Sequence, residues 1–316
     1  MNKNTPIVII GFGSIGRRHE KNLRELGFVN LAVYDTDLGK ITEFQGEKLA
    51  VLDEKTLSRF KIAFITNPTH QHISAATLAA KAGCHLFIEK PVSHTLAGVE
   101  ELRKICAEKK LVNMVACNMR FFPAYAFMNG FLEQGSLGKV HRIHLSFDYY
   151  LPYWRPDSDY TKSYSAKKEW GGGIVLDDIH EFDLLFWLMK GSEVSSHKIF
   201  RNRSGALPIE VEDQAFGVFE FEGGVLGSVS CGYLSKRYHR EARIVGEAGT
   251  LSWSIGENKV YLETKERRDV LFSGKESDLD GMYKKELAYF LKQVERGEST
   301  FNDVAEAGTL LKYILE

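Results

Sequence analysis

The sequence has few of the features that mark secreted, membrane-bound or disulfide-rich proteins. It contains four cysteines in 316 residues, at positions 84, 106, 117 and 231, and no C-x-x-C pair. Such sparse cysteines are typical of reduced, buried thiols in a cytosolic protein. The first apolar run is too short for a signal sequence, and no run approaches the ~20 apolar residues of a membrane span.

The chain also lacks an excess of either charge. It has 41 Lys and Arg against 42 Asp and Glu, which gives a net charge of -1. This balance offers no electrostatic reason to bind nucleic acid or a membrane surface, so we expect a small-molecule partner. The length suits two domains.

The first residues are typical of a dinucleotide-binding unit. Ile7–Ile10 is a β-branched run that predicts a buried parallel strand, and an amphipathic helix follows as far as Glu25. Between them lies a G-x-G-x-x-G turn formed by Gly11, Phe12, Gly13, Ser14, Ile15 and Gly16. Its glycines permit a tight turn, close approach of a pyrophosphate and close packing of helix on strand.

Asp35 follows the second predicted strand, Leu31–Tyr34, and lies 19 residues beyond Gly16. A carboxylate there accepts hydrogen bonds from the ribose 2′-hydroxyl of NAD and repels the 2′-phosphate of NADP. The sequence therefore favours NAD. The alternative is an ordinary glycine turn, with Asp35 capping the segment that follows.

Lys90 lies just after the strand predicted at 86–88 and is followed by proline. Proline keeps Lys90 extended at the carboxyl edge of the sheet, where open α/β folds bind ligands, so Lys90 is a candidate catalytic residue. The alternative is a charged pair that closes a strand. Strand and helix alternate around it, which predicts a parallel sheet. We expect a strand at 62–65, a helix at 74–82, a strand at 86–88, a helix at 93–109 and a strand at 111–116.

The pattern changes beyond about residue 122 to alternating strands separated by glycines and polar turns, which predicts an antiparallel sheet. We therefore divide the chain into domains at 1–121 and 122–316. The segment at 152–170 is rich in aromatic and polar side chains that suit sugar rings and hydroxyls. Its candidate substrate residues are Trp154, Arg155, Tyr160 and Tyr164. The alternative is a surface loop whose rings pack back onto the domain.

Three glycines at 171–173 precede a predicted helix at 174–189. Asp177, His180 and Asp183 are three residues apart and would share one face of this helix. A histidine flanked by carboxylates can transfer a proton, because a carboxylate fixes its tautomer and favours its charged form. The alternative is a purely structural histidine.

Five motifs in this order, GFGSIGRRH, ITNPTHQH, EKP, NMRFFP and GGGIVLDDIHEFD, resemble the Gfo/Idh/MocA family of glucose-fructose oxidoreductase and inositol dehydrogenase relatives. The resemblance implies an N-terminal Rossmann domain with a doubly wound parallel sheet. It also implies a C-terminal α+β domain with an open, mainly antiparallel sheet, whose outer face joins a homodimer or homotetramer. The last helices, from about residue 286, would pack back on the Rossmann domain.

The resemblance implies further site residues and no metal. Contacts to the cofactor are expected from Thr66, Asn67, Pro68, His72, Glu89, Lys90 and Asn118, and contacts to the substrate also from Arg120 and Asp183. The Lys90–Pro91 peptide is expected to be cis, as it often is in the family.

One departure from the family pattern leaves the partner of the histidine open. Family members place the helix aspartate four residues before the histidine, where this chain has Leu176, and Asp177 is three before. Asp177 and Asp183 thus both remain candidates to support His180. The shortened segment resembles a branch of the family associated with acidic sugars of surface polysaccharides.

Together these features predict a cytoplasmic NAD-dependent oxidoreductase. Hydride would pass between nicotinamide and a secondary hydroxyl or ketone of a sugar, nucleotide sugar or polyol, while His180 moves the proton and Lys90 holds the alkoxide. Two alternatives are a glycosidase that uses bound NAD for transient oxidation and a non-catalytic NAD-binding sensor or partner subunit. A sensor has no need of Lys90, Asp177 and His180.

We expect NADH to bind at least about tenfold more tightly than NADPH. Lost ribose hydrogen bonds and repulsion between Asp35 and the 2′-phosphate cost more than ~1.4 kcal/mol, which is tenfold in affinity. Fluorescence titration with each nucleotide measures the ratio. Equal affinities would contradict the assignment of Asp35 to the ribose.

Overall fold

The computed structural model describes residues 1–154, 156, 158–275 and 278–316. These residues form two compact units, the first from residues 1–117 and 283–316 and the second from 118–282. The candidate substrate residue Arg155 lies outside the described residues. In the described part of the chain, no helix has the length and apolar character needed to cross a membrane.

The first unit contains a six-stranded parallel sheet of order β3-β2-β1-β4-β5-β6. Its strands are β1 Ile7–Ile10, β2 Leu31–Tyr34, β3 Glu47–Lys48, β4 Ile62–Ile65, β5 His85–Ile88 and β6 Asn113–Val115. Its helices are α1 Ser14–Glu25, α2 Leu38–Ile41, α3 Glu54–Leu57, α4 His72–Lys81, α5 Val99–Glu108, α10 Asp278–Arg296, which enters the unit at Tyr283, and α11 Val304–Leu315. This strand order is the doubly wound Rossmann arrangement, so the predicted fold of this half is confirmed.

The core of the first unit lies between the central strands and the helices. All four residues of β1 are at most 1% exposed, as expected for a strand buried on both faces. Phe64 and Phe87 stack on adjacent strands with ring centroids 5.0 Å apart. Phe290 of α10 packs on both rings, at 6.0 and 5.4 Å. Sequence-distant helix α10 is thereby tied to the central strands.

The edge strand β6 is covered by the C-terminal segment. Val115 donates its N–H to the carbonyl of Asn302 over 2.7 Å, and the Asn302 amide donates back to the Val115 carbonyl over 2.9 Å. The hydroxyl of Thr300 donates to the carbonyl of Asn113 over 2.7 Å. These bonds satisfy backbone groups that an edge strand otherwise leaves open.

The helix predicted at 93–109 is wrong over its first six residues. Helix α5 begins at Val99, and residues 93–98 form bends and turns. Gly98 has a φ of 76°, in the left-handed region, which cannot continue a right-handed helix. The strand predicted at 111–116 is shorter, since β6 spans Asn113–Val115.

The second unit contains an eight-stranded sheet of order β14-β13-β12-β11-β7-β10-β9-β8. Its strands are β7 Val140–Asp148, β8 Val194–Asn202, β9 Gln214–Phe221, β10 Val225–Gly232, β11 His239–Gly246, β12 Gly249–Ser254, β13 Lys259–Glu263 and β14 Arg268–Ser273. All neighbouring pairs are antiparallel except β7 with β10. The predicted open, mainly antiparallel sheet is confirmed.

Helices of the second unit pack on one face of this sheet. They are α6 Pro123–Glu133, α7 Leu151–Trp154, α8 Ile174–Asp177 and α9 His180–Leu188, with short 3-10 turns at Asn118–Phe121, Tyr160–Lys162, Tyr164–Ala166 and Lys168–Trp170. Phe182 of α9 meets Phe219 of β9 with ring centroids 6.1 Å apart.

The single helix predicted at 174–189 is wrong, because the chain leaves the helical conformation between α8 and α9. Asp178 has φ -109° and ψ 51°, which ends α8. The carboxylates of Asp178 and Glu181 both reach the buried guanidinium of Arg240 on β11, with N–O distances of 2.7 and 2.9 Å. We attribute the break to this double ion pair, which draws both side chains toward the sheet.

All four cysteines are buried and none forms a disulfide. Burial raises the pKa of the Cys84 thiol to about 11, so it stays protonated at neutral pH. The prediction that the four thiols are buried is confirmed.

Candidate active site

The glycine turn between β1 and α1 has the shape of a pyrophosphate cradle. A Cβ on Gly11 would lie 2.3 Å from the Asn67 nitrogen, and one on Gly16 would lie 2.2 Å from the Gly11 carbonyl oxygen. A Cβ on Gly13 would meet nothing within 4 Å. Gly11 and Gly16 are therefore required by close packing, and Gly13 opens on space beside the N-terminus of α1, where Ser14 is exposed and Ile15 half-buried.

Asp35 holds this turn in place. One carboxylate oxygen accepts the Phe12 N–H over 2.7 Å and the other accepts the Asp37 N–H over 2.9 Å, while Lys40 lies 3.6 Å away. Asp35 is buried at the end of β2, the position expected for ribose recognition. Contact of Asp35 with the ribose stays a prediction.

The strand ends beside the turn carry polar atoms that lack partners. The Asn67 amide nitrogen lies 3.3 Å from the Gln71 carbonyl, but its buried side-chain oxygen has no hydrogen-bond partner among the described residues. The side-chain oxygen of Asn118, in the second unit, is also buried without a hydrogen-bond partner among the described residues. Thr66 is already engaged, 2.5 Å from the Gly11 carbonyl oxygen. The open space at Gly13 and the unpartnered Asn67 oxygen fit a bound dinucleotide.

His72 ties two backbone segments together and has no ring nitrogen left for a cofactor. Its Nδ1 lies 2.8 Å from the Pro91 carbonyl oxygen, and its Nε2 lies 2.8 Å from the Asn67 carbonyl oxygen. Burial lowers the pKa of this histidine, and the two acceptors oppose that shift. Any influence of His72 on the cofactor is thus exerted through the Asn67 and Pro91 backbone. Pro68 lies beside this segment, before the 3-10 turn at Thr69–Gln71.

Lys90 follows β5 and is partly buried, and its peptide bond to Pro91 is cis, as expected. One Glu89 carboxylate oxygen accepts the Lys90 N–H over 3.3 Å. The other lies 2.6 Å from Nε2 of the fully buried His19. Burial alone would raise the pKa of Glu89, but the hydrogen bond and charge of His19, with the charge of Lys90, hold that pKa below its usual range. Glu89 is therefore an ionised anchor for the strand end that carries Lys90.

Asp177 ends α8 and receives two tyrosine hydroxyls. Tyr164 donates to one carboxylate oxygen and Tyr233 donates to the other over 2.9 Å. Asp177 is 2% exposed, so these donors compensate its burial. His180 begins α9 three residues later and is half-buried.

Asp183 forms a buried ion pair with Arg120. The guanidinium donates two parallel hydrogen bonds of 2.9 and 2.7 Å to the two carboxylate oxygens. Both residues are at most 5% exposed. The pair has the geometry of a structural brace, and the expected substrate contacts of both residues remain predictions.

Asp178, Glu181 and Arg240 form a second buried cluster behind His180. Burial, with the neighbouring Asp178 charge, raises the pKa of Glu181 well above its usual range despite Arg240. The Arg240 guanidinium also lies 4.5 Å from the Phe147 ring centre. One cation thus faces two acidic side chains, and the residues on either side of His180 are fixed to β11.

The aromatic segment after β7 packs partly on the second unit. The Trp154 indole donates to the Tyr149 carbonyl over 3.1 Å, and its ring meets Tyr233 at 5.3 Å. Tyr160 is half-buried, and Tyr153 is 50% exposed. Some rings of this segment thus pack on the second unit, as the alternative of a surface loop predicts, while others face solvent.

Several residues of this region were missed by sequence reasoning. Tyr233 ends a strand pattern typical of core residues, and Arg240 lies in a polar stretch typical of exposed residues. His19 lies within the first motif, but the motif alone gives it no role. Helical spacing of His19 from the glycine turn was a usable indication of its burial. In the described part of the chain, no group of three or more His, Cys, Asp or Glu side chains could hold a metal ion.

Family comparison assigns both halves of the chain. Residues 5–117 match the oxidoreductase family described as an NAD-binding Rossmann fold, and residues 125–252 match the GFO/IDH/MocA C-terminal domain. These two matches lie in consecutive order, as the five motifs do.

Individual relatives are similar at moderate identity. Myo-inositol 2-dehydrogenase of Thermotoga maritima is 28% identical over 317 residues, covering 92% of this chain and 89% of that protein. Levoglucosan dehydrogenase of Pseudarthrobacter phenanthrenivorans is 28% identical over 188 residues, covering 52% of this chain and 47% of that protein. The structure of an inositol dehydrogenase homologue with NAD+ from Azotobacter vinelandii superposes with a TM-score of 0.84 at 19% identity, covering 100% of this chain and 96% of that one.

We expect Asp183→Asn to lower the free energy of unfolding by about 3–5 kcal/mol, because it removes the negative charge that faces the buried Arg120 guanidinium. The double variant Arg120→Met/Asp183→Asn should lose less than the sum of the single changes. Urea unfolding measures both, and Arg103→Met, which breaks an exposed pair with Glu100, is the control and should change the free energy of unfolding far less. A stable Asp183→Asn protein with a raised substrate KM would instead assign Asp183 to the substrate.

Proposed function

The chain belongs to the Gfo/Idh/MocA family of NAD-binding oxidoreductases, and from this membership we propose that it oxidises or reduces a sugar-like substrate. The reaction is hydride transfer between nicotinamide and a secondary hydroxyl or ketone of a sugar, nucleotide sugar or polyol. The observation that carries the proposal is the retention of E-K-P at the end of β5 together with H-x-x-D at the start of α9. The inositol and levoglucosan dehydrogenases among its relatives support the substrate class.

The first unit supplies the cofactor site. NAD, when bound, supplies or accepts the hydride. The N-terminus of α1 and the open side of Gly13 receive the pyrophosphate, Asp35 faces the ribose, and the Asn67 side-chain oxygen serves the nicotinamide end.

Lys90 and His180 act on the reacting oxygen of the substrate. Lys90 stabilises the developing alkoxide by charge and hydrogen bonding, a contribution that is largest in the transition state. His180 accepts the hydroxyl proton during oxidation and returns it during reduction. Asp177 or Asp183, each three residues from His180 in the sequence, supports this exchange.

The residues around Lys90 hold it in a fixed orientation. Glu89 receives the Lys90 N–H and is itself held by His19, while His72 lies 2.8 Å from the carbonyl of Pro91. A catalytic group held on rigid elements needs less reorganisation in the transition state.

We further propose that copies of the chain associate through the open face of the eight-stranded sheet. This face presents Phe200, Phe216 and Leu226, which are 56, 44 and 48% exposed. It also carries a cavity of about 600 Å³ between polar side chains such as His144 and Gln214. Exposed apolar side chains grouped in this way are typical of protein interfaces.

Replacing Lys90 by Met should lower kcat/KM by about 10²–10⁴ and leave NADH affinity nearly unchanged, because its role lies in the transition state. His180→Asn should act similarly and flatten the pH profile. Nicotinamide absorbance with a panel of sugars and polyols measures turnover, and the exposed Lys104→Met is the control. Asp177→Asn and Asp183→Asn, compared in the same assay, identify the carboxylate that supports His180. Full activity of Lys90→Met would refute the mechanism.

Introducing charge on the sheet face should dissociate the oligomer. We expect Phe216→Asp/Leu226→Asp to lower the mass found by sedimentation to that of one chain, because burying two carboxylates at an interface is costly. Val29→Asp, at a 63% exposed position in the first unit, should leave the mass unchanged. A monomeric wild-type protein would contradict the interface.

A further inference from the structure

We propose that the substrate carries an anionic group, a carboxylate or a phosphate, which binds Lys236 on a platform of tyrosine rings in the second unit. The inference rests on the proposed function, because it defines the substrate class of that same site.

Lys236 lies in the loop between β10 and β11, and its ammonium is held by aromatic rings. Its Nζ lies 2.8 Å from the centre of the Tyr150 ring and 5.9 Å from that of Tyr153. The two rings meet edge to face at 4.9 Å. Cation–π attraction thus fixes the amine while its side chain remains exposed.

This ammonium has no carboxylate partner among the described residues. By contrast, Lys162 and Lys167 on the neighbouring segment pair with Asp159 and Glu210. Burial raises the pKa of the nearby Tyr160, and the charge of Lys236 opposes that shift. A cation fixed on tyrosine rings and open to solvent is a receptor for an anion.

Packed aromatic rings link the platform to the segment before His180. Tyr233 donates its hydroxyl to Asp177 over 2.9 Å, and the Trp154 ring packs on Tyr233 at 5.3 Å. The Trp154 indole then donates to the carbonyl of Tyr149.

From there the Tyr149 ring lies 6.3 Å from the Tyr153 ring, which faces Lys236. Several ring contacts therefore separate the lysine from Asp177. The charged group and the reacting hydroxyl occupy different parts of the substrate, and the rings between them suit the apolar face of a sugar.

The geometry disfavours the other classes of ligand. A cation cannot use the Tyr150 face, because Lys236 occupies it and repels like charge. A neutral polyol would gain little from the ammonium, because it carries no charge to compensate that of Lys236. An anionic carbohydrate compensates the lysine charge and uses the rings as well.

The test is binding of matched probes to the NADH-saturated full chain, measured by titration calorimetry. The probes are D-glucuronate, D-glucose 6-phosphate and uridine diphosphate, with D-glucose as the neutral reference. We expect at least one anion to bind more tightly than glucose, and Lys236→Met to weaken that anion about tenfold or more, the worth of a charge-assisted hydrogen bond. Higher ionic strength should weaken it in the wild-type protein.

Lys198→Met is the matched control, because Lys198 also lies over an aromatic ring, at 4.8 Å from the centre of Phe200, but in β8. It should leave all affinities unchanged. The probes whose binding is weakened by Lys236→Met identify the anionic group. Weaker binding of glucuronate alone indicates a carboxylate, and weaker binding of the other two probes indicates a phosphate.

The inference is overturned if no anion binds more tightly than glucose, or if Lys236→Met leaves every affinity unchanged. Turnover of neutral polyols with a kcat/KM at least equal to that of anionic sugars would overturn it while supporting the proposed function. Lys236-dependent anion binding without turnover of any sugar would overturn the proposed function and leave the anion site standing.

Discussion

The contact between His19 and Glu89 joins the helix of the glycine turn to the strand end that carries Lys90 in the first unit. His19 belongs to α1, the helix that begins at the pyrophosphate cradle, and Glu89 ends the strand that carries Lys90. A buried carboxylate is costly unless it is paired, so this contact keeps Glu89 ionised. Because its pKa is lowered in the folded protein, Glu89 adds stability above its unfolded pKa, and this is lost as the pH falls through the lower folded value.

The second unit also buries acidic groups at a cost that must be compensated, because the segment around His180 contains four buried carboxyl groups. Each has a partner: two tyrosines for Asp177, Arg240 shared by Asp178 and Glu181, and Arg120 for Asp183. Matched in this way, acidic groups that would repel one another fix the position of His180 from several directions.

Local patterns were enough to predict the elements whose causes are local. The run at Ile7–Ile10, the glycine turn and the alternation of later strands each depend on neighbours in sequence, and all are confirmed. The helix break at Asp178 could not be foreseen, because its cause is Arg240, 62 residues away. In the site, residue types at motif positions identified candidates such as Lys90, but their hydrogen-bond partners depend on tertiary packing that no motif encodes.

The covering of β6 by Asn302 has a consequence for the order of events during synthesis. Residues 118–282 leave the ribosome before residues 283–316, so every residue of the second unit is present while the first still lacks two helices and the cover of its edge strand. Throughout that interval the nascent first unit carries an open strand edge and an uncovered pair of phenylalanine rings, both of which favour association with other chains.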